Sequence, residues 1–321
     1  MKTSISKLCE LLYENDRYMI LTHNHPDCDT LGSALALTCL LQSLGKTAFA
    51  VCPDEVTGKQ KSLMGGYGFE YSGEPYDHII TTDVAATSML GKYEQFKDDI
   101  FIKIDHHKVR DDFGKYQLVK ENCASCAEIV FDICRYFEKK GKYTLSPDVA
   151  SYIYCGISSD TGGFRYSNTT AETHKKAARL LGCGIPSAQI DEELHIVRSP
   201  GRIRAEGYAL SNIRYDTGGK IASVCFDMKT RERLQLTEED IADIVDIPRS
   251  IEGAEIAFSV KEEPDGAFRV SLRSKNTDCS AIAAVFGGGG HIRASGCTLH
   301  ADGIETVRGS IISECKKHIG S

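Results

Sequence analysis

The chain reads as an α/β protein: an N-terminal domain on a parallel sheet with flanking helices, followed by a smaller C-terminal α+β domain. Three observations predict this. Short β-rich runs alternate with amphipathic helical patterns through the first half, as strand–helix–strand units do. Near Asp191 the texture changes to charged helical sequence and then to a hairpin pattern. The length of 321 residues, 41% hydrophobic and 26% charged, suits two cores, at roughly 100–200 residues per domain.

The first element is an amphipathic helix in "MKTSISKLCELLYENDRY", with Ile5, Leu8, Leu11 and Leu12 on one stripe. Strands are expected at 18–22, 47–51, 78–82 and 100–104. Between the first two, Leu31, Ala34, Leu35, Leu41 and Leu44 form a wide apolar helical face that Gly45 stops. In "NCASCAEIVFDICRYFEKKG", Cys126, Ile129, Val130, Ile133 and Cys134 share a helical face. Cysteine there is a small hydrophobe, and a lone C-x-x-C lacks the second pair that a structural zinc site needs. Ser146 as N-cap and Pro147 at the first helical position start the next helix, and Thr169 with Glu172 has capping-box spacing in the one after. Residues 191–215 read as a charged helical linker broken at Ser199-Pro200-Gly201. Pro264-Asp265-Gly266 then supplies a turn between two alternating runs, a β-hairpin. The domains expected are therefore 1–190, a linker over 191–215, and 216–321.

A net charge of −7 argues against a coat for long nucleic acid or a membrane-surface protein, both of which use basic faces. No run approaches the ~20 apolar residues of a membrane span, and the N-terminus lacks a secretory h-region. A cytoplasmic protein is expected.

The residues that carry chemistry sit directly after the strands. The first strand leads into His23, Asp27 and Asp29, the third into Asp83, the fourth into Asp105, His106 and His107. Ligands of open α/β sheets bind beyond the carboxyl ends of the strands, so these groups are aimed at one crevice. "GISSDTGGFRY" adds Asp160. A single Asp in such a place is commonly a turn or helix cap; four segments agreeing make a metal site the better reading. Carboxylate with imidazole suits Mn, Fe, Co or Zn, and His23, Asp27, Asp29, Asp83, His106 and Asp160 are enough for two ions sharing a bridging carboxylate.

In that order, "HNHPDCD", "TTD", "DHH" and "SSDTGGFRY" resemble the four motifs of the DHH phosphoesterases, and "SLRSK" with "GGGGHIRASG" resembles the substrate-binding domain associated with them. The chain looks most like the bacterial oligoribonuclease/pAp phosphatase branch. The resemblance implies that His23 and Asp27 hold one Mn²⁺, that Asp83 bridges, and that Asp29, His106 and Asp160 complete a second; Co²⁺ or Mg²⁺ are substitutes. It implies catalytic roles for Asp83, Asp105, His106 and His107, with Asp105 orienting an imidazole and His107 facing the substrate phosphate. Cys28 departs from a common Gly and His25 from a common Asn; neither removes a ligand.

The loop "VFGGGGHIRASG" is neither a P-loop, having no Lys-Ser or Lys-Thr, nor a Rossmann turn, since it comes after a helical pattern. Its glycines can expose backbone N–H groups as an anion nest. By resemblance Gly287, Gly288, Gly289, Gly290, His291 and Arg273 bind the substrate. Arg165 braces either the substrate or the Asp160 loop.

The expected activity is two-metal hydrolysis of short oligoribonucleotides or linear dinucleotides such as pApA to 5′-mononucleotides, removal of the 3′-phosphate of pAp, or both. Long nucleic acid would call for a basic stripe, and the oligomeric state is open. Two rivals are an inorganic pyrophosphatase of the same superfamily and a silent nucleotide-binding sensor.

Overall fold

The computed structural model of the chain describes residues 1–107 and 111–319, which divide into two compact units, Met1–Val197 and Arg198–Ser321.

The first unit opens with helix α1 (Ile5–Glu14), whose stripe buries Leu8, Leu11 and Leu12. Strand β1 (Tyr18–Leu21), helix α2 (Cys28–Ser43), strand β2 (Ala48–Val51), helix α3 (Gly58–Leu63) and strand β3 (His78–Thr82) come next. A 3₁₀ segment over Thr87–Asp99 leads to β4 (Ile100–Asp105) and β5 (Tyr116–Val119), then to helices α4 (Cys126–Lys139), α5 (Pro147–Asp160), α6 (Ala171–Leu181) and α7 (Ser187–Asp191) and a π turn over Glu192–Ile196. The strands form one parallel sheet in the order β2-β1-β3-β4-β5. Because successive residues of a strand face opposite sides, Tyr18 and Ile20 enter the core under the helices, while Met19 and Leu21 join Val51, Ile79, Leu90 and Phe113 on the other face. The chain reverses direction across the sheet between β1 and β3, which makes their carboxyl ends the switch point where such sheets bind ligands.

Helix α2 differs from the expectation of one apolar face. It is buried from Cys28 to Leu41 at every residue but Cys39, because α4 and α5 pack on it as well as the sheet. Gly32 and Gly156 permit the approach: a Cβ on Gly32 would lie 2.4 Å from the Tyr152 carbonyl oxygen, and one on Gly156 2.7 Å from Ala127 Cβ. The shared face of α4 is buried as expected, and among the described residues all thirteen cysteines are free thiols. The cap of α6 is one residue later than its sequence suggests. Thr170, not Thr169, is the N-cap, and Thr173 closes the box, since a hydroxyl serves where Glu172 was expected. Strand β5 is an element that the periodicity of "YQLV" did not reveal.

The second unit contains α8 (Pro200–Ser211), β6 (Arg214–Asp216), β7 (Ile221–Phe226), α9 (Met228–Leu234), α10 (Asp246–Arg249), β8 (Ile256–Glu262), β9 (Phe268–Ser274), α11 (Cys279–Val285), β10 (Gly289–His291), β11 (Ala294–Leu299) and α12 (Ile304–His318). The Ser-Pro-Gly that looked like a break is a start: Ser199 caps α8 and Pro200 occupies its first turn. The sheet runs β10-β11-β9-β8-β7-β6, antiparallel except for β7 against β8. Strands β8 and β9 are the expected hairpin. Helices α11 and α12 bury Ile282, Val307 and Ile311 against one face of the sheet. Among the described residues no helix is long and apolar enough to cross a membrane.

Candidate metal centre

The six ligand candidates meet at the carboxyl ends of β1, β3 and β4. Just after β1, Asp27 caps α2, its Oδ1 accepting from the backbone N–H of Asp29 and Thr30. Its cap role leaves it within the same cluster as His23 and Asp83, so capping does not remove it as a candidate ligand. His23 Nδ1 donates to the Asn24 carbonyl at 2.7 Å, which leaves Nε2 facing Asp27 at 3.8 Å and Asp83 Oδ2 at 3.5 Å. A ring nitrogen fixed by its other nitrogen's hydrogen bond is the usual preparation of a histidine ligand.

Asp83, directly after β3, is buried and has φ +63°. A left-handed conformation costs a non-glycine residue on the order of 1–3 kcal/mol, and such strain gathers at functional sites. While Asp83 Oδ2 faces His23, its Oδ1 lies 3.3 Å from His106 Nε2. The same His106 atom lies 3.3 Å from Asp160 Oδ2 and 4.0 Å from Asp29 Oδ2, and His106 Nδ1 donates to the Cys123 carbonyl at 3.3 Å. Ligand atoms within 4.8 Å of one another thus form the sets His23–Asp27–Asp83, Asp29–His106–Asp160 and Asp83–His106–His107.

Asp29 is held from an unexpected direction. The first backbone N–H groups of α4, those of Cys126 and Ala127, donate to its two oxygens at 2.6 and 2.9 Å, so a helix N-terminus stabilises the carboxylate. Asp105, fully buried, accepts from His107 N at 3.1 Å and from His107 Nδ1 at 3.0 Å. Its other oxygen forms an ion pair, without a hydrogen bond, to Lys103 Nζ at 3.3 Å. Burial lowers the Lys103 pKa against the pull of Asp105, and the ammonium rests over the Phe113 ring.

These groups fit divalent cations. Asp83 Oδ1 and His106 Nε2 are buried with no hydrogen-bond partner, a state that natural interiors avoid unless something else binds there. Burial, and then Asp83, push Asp29 up to about 8; burial and the carboxylates of Asp29, Asp27 and Asp83 push Asp160 well above its usual range. Burial opposes charge on His23 and His106, yet contact with Asp27 and Asp83 raises His23 to about 11, and contact with Asp83 and Asp29 raises His106 to about 9. The shifts of Asp29, Asp160, His23 and His106 each favour a proton, which a metal would replace.

Apart from His107, the predicted substrate residues lie in the second unit. Register pairs His291 with Ala294 and Ala294 with Arg273, so the two residues share one row across β10, β11 and β9. Arg273 also reaches Asp243, 3.8 Å away. The glycines differ from the expected open nest. The N–H groups of Gly287 and Gly288 already donate to carbonyls at the end of α11, while Gly289 and Gly290 belong to β10. A Cβ on Gly288 would collide with the Gly296 carbonyl and Cys297, so its absence serves close strand packing. Arg165 Nε donates to the Gly162 carbonyl, bracing the Asp160 loop.

Sequence reasoning missed three participants around this centre. Lys103 could have been flagged as a charge inside the apolar run "IFIKI". Asn168, whose amide donates to the carbonyls of both Ala124 and Asp160 at 3.1 Å, and Asp191, which accepts from Ser158 two residues before Asp160, carry no sequence signal.

Residues 17–157 match the DHH family, N-terminal domain, and residues 220–317 the DHHA1 domain. A Thermus thermophilus protein named bifunctional oligoribonuclease and PAP phosphatase NrnA is 31% identical over 288 residues, spanning 87% of this chain and 83% of that protein. The chain belongs to the DHH family. A Bacillus subtilis protein of the same name is 28% identical over 99% of this chain and 100% of its own length. The crystal structure of an exopolyphosphatase-related protein from Bacteroides fragilis superposes with a TM-score of 0.89 at 25% identity, covering 98% of this chain and 95% of that one. The acidic and imidazole groups gathered here could hold a metal ion.

Proposed function

We propose that this DHH protein hydrolyses short oligoribonucleotides and linear dinucleotides to 5′-mononucleotides and removes the 3′-phosphate of pAp, using two Mn²⁺ ions. The observation that carries the reading is Asp83, whose two oxygens face two different ligand sets. His23 and Asp27 would share one ion with it, and Asp29, His106 and Asp160 would hold the other. Mixed carboxylate and imidazole ligands favour Mn²⁺, with Co²⁺ or Mg²⁺ as substitutes. When bound, the ions supply Lewis acidity and hydroxide at neutral pH.

The chain's own residues supply the rest. Asp105 fixes the ring of His107 through Nδ1, leaving Nε2 to meet a phosphoryl oxygen and offset the charge that develops there. Lys103 holds Asp105 in turn. In the second domain, Arg273 and His291 would take the far end of the substrate, and a short substrate is consistent with the net charge of −7. The functional division we propose is 1–190 for catalysis, 191–215 as linker and 216–321 for substrate.

A panel of pAp, pApA, longer RNA, short DNA and pyrophosphate, with and without Mn²⁺, tests this. Expected is Mn²⁺-dependent turnover of pAp and pApA that Asp83→Ala abolishes. Turnover of pyrophosphate alone would make the chain a pyrophosphatase, and tight nucleotide binding without turnover a sensor.

A further inference from the structure

Outside the ligand sets lies a partly buried polar network that the reaction does not use. Ser158, fully buried on the last turn of α5, donates from Oγ to Asp191 Oδ1 at 2.7 Å. Tyr154, one turn earlier on the same helix, donates to Asp191 Oδ2 at 2.8 Å. His195 Nε2 lies 2.9 Å from Ser158 Oγ. The serine hydrogen is already directed at Asp191, so His195 Nε2 must be the donor in that contact. The order is therefore His195 to Ser158 to Asp191. A nucleophilic serine would need the histidine in the middle, so this is not a second hydrolytic site.

The network grips the turn that carries Asp160. Ser158 precedes Asp160 by two residues. On the other side, a Cβ on Gly163 would lie 3.3 Å from His195 Cδ2, so the imidazole rests directly on the glycine turn after Asp160. Gly162, Gly163 and Phe164 all have positive φ there, between 57° and 67°; for Phe164 this is a strained conformation that the surroundings must impose. Beyond the contact of Asp160 Oδ2 with His106 Nε2 at 3.3 Å and the bond from the Asn168 amide to its carbonyl, the turn gains a restraint from outside. The chain segment providing one is rare in form: the π turn that carries His195, closed by Val197 N–H to the Glu192 carbonyl at 2.8 Å. Such turns are frequent at functional sites.

We infer that Asp191 and His195 are positioning residues that hold Asp160 in place through Ser158 and the Gly163 turn, and so set the affinity of one of the two cation positions. The inference rests on the reading of Asp160 as a ligand. Partners that orient a ligand typically govern metal affinity by 10- to 100-fold.

The test is Mn²⁺ binding to the whole chain, with calorimetry for affinity and electron paramagnetic resonance for the number of ions. Ser158→Ala, His195→Ala and Asp191→Ala are each expected to weaken one of two ions by roughly 10- to 100-fold and to recover turnover at raised Mn²⁺. His195→Gln, whose amide can still donate to Ser158, should stay within about threefold of the unaltered protein, since the donor is kept. Melting of the metal-free proteins identifies any variant that fails to fold; Ser158→Ala, which removes one oxygen, then decides. If Asp160→Ala loses an ion while Ser158→Ala and His195→Ala bind normally, the positioning inference alone is overturned. Equal damage from His195→Gln and His195→Ala would reduce the role to packing and overturn it too. Should Asp160→Ala keep both ions, the ligand reading falls and takes this inference with it.

Discussion

Asp83 is the residue on which the centre turns. If Asp83 bridges two cations as proposed, Asp83→Asn, which tolerates the left-handed backbone and keeps the shape, would still lose the negative charge between them. His107 is different: Asp105 holds it and it stands outside the two ligand sets we assign to ions. His107→Ala is therefore expected to lower kcat by roughly 10²–10³-fold while calorimetry still counts two Mn²⁺. The protonation of the centre gives a further expectation. His23, His106 and Asp29 are all raised in the metal-free fold, to about 11, 9 and 8. A raised group contributes stability that is complete below its unfolded pKa, near 6.5 for histidine and 3.9 for aspartate, and lost as the pH climbs through the folded value. The metal-free protein should thus melt lower at pH 9 than at pH 7, and Mn²⁺ should reverse the loss. Binding at pH 7 should release protons, seen as a buffer-dependent calorimetric enthalpy; an enthalpy independent of the buffer's ionisation heat would contradict this.

At the scale of elements, the centre depends on how closely α2, α4 and α5 approach. Helix α2 brings Asp27 and Asp29 to its N-terminus, α4 offers its first N–H groups to Asp29, and α5 ends on Asp160. Gly156 sits between them. A Cβ there would be 2.7 Å from Asp29 Oδ1 and from Ala127 Cβ. Gly156→Ala should consequently weaken Mn²⁺ binding as well as stability, whereas Gly32→Ala, which meets the Tyr152 carbonyl on the same helix crossing, should act mainly on stability. Overpacking of this kind costs about 1–3 kcal/mol, measurable by denaturant unfolding. Ser146→Ala, removing the N-cap of α5, should cost about 1 kcal/mol and leave the number of bound ions unchanged.

Across the whole molecule, two units divide the sequence between them, each with its own sheet and core. In the proposed function, the first supplies the chemistry and the second holds the substrate. Arg273→Ala is then expected to raise KM for pAp and pApA about tenfold or more, the loss of a charge-assisted phosphate contact, with Mn²⁺ stoichiometry intact. An effect on kcat alone would argue against a substrate contact at this position.

The alternation of short β-rich runs with amphipathic helical patterns, and the place where each strand runs out, determined by themselves that the first unit is a parallel sheet with acids and imidazoles at its carboxyl ends. Both are local properties: a β-rich run or a helical period is carried by neighbouring residues, and a polar residue ends a buried run. Four motifs in one order then pointed to the family. Tertiary structure alone decided the rest. That Asp29 is held by α4 N–H groups 97 and 98 residues away, that Lys103 is buried beneath Asp105, and that the Gly287 and Gly288 amides close a helix rather than open toward an anion, all depend on which backbone groups remain unpaired once the helices have packed. A hydrogen bond between distant segments leaves no period in the sequence. It is fixed by close packing and by the cost of leaving a buried polar group alone.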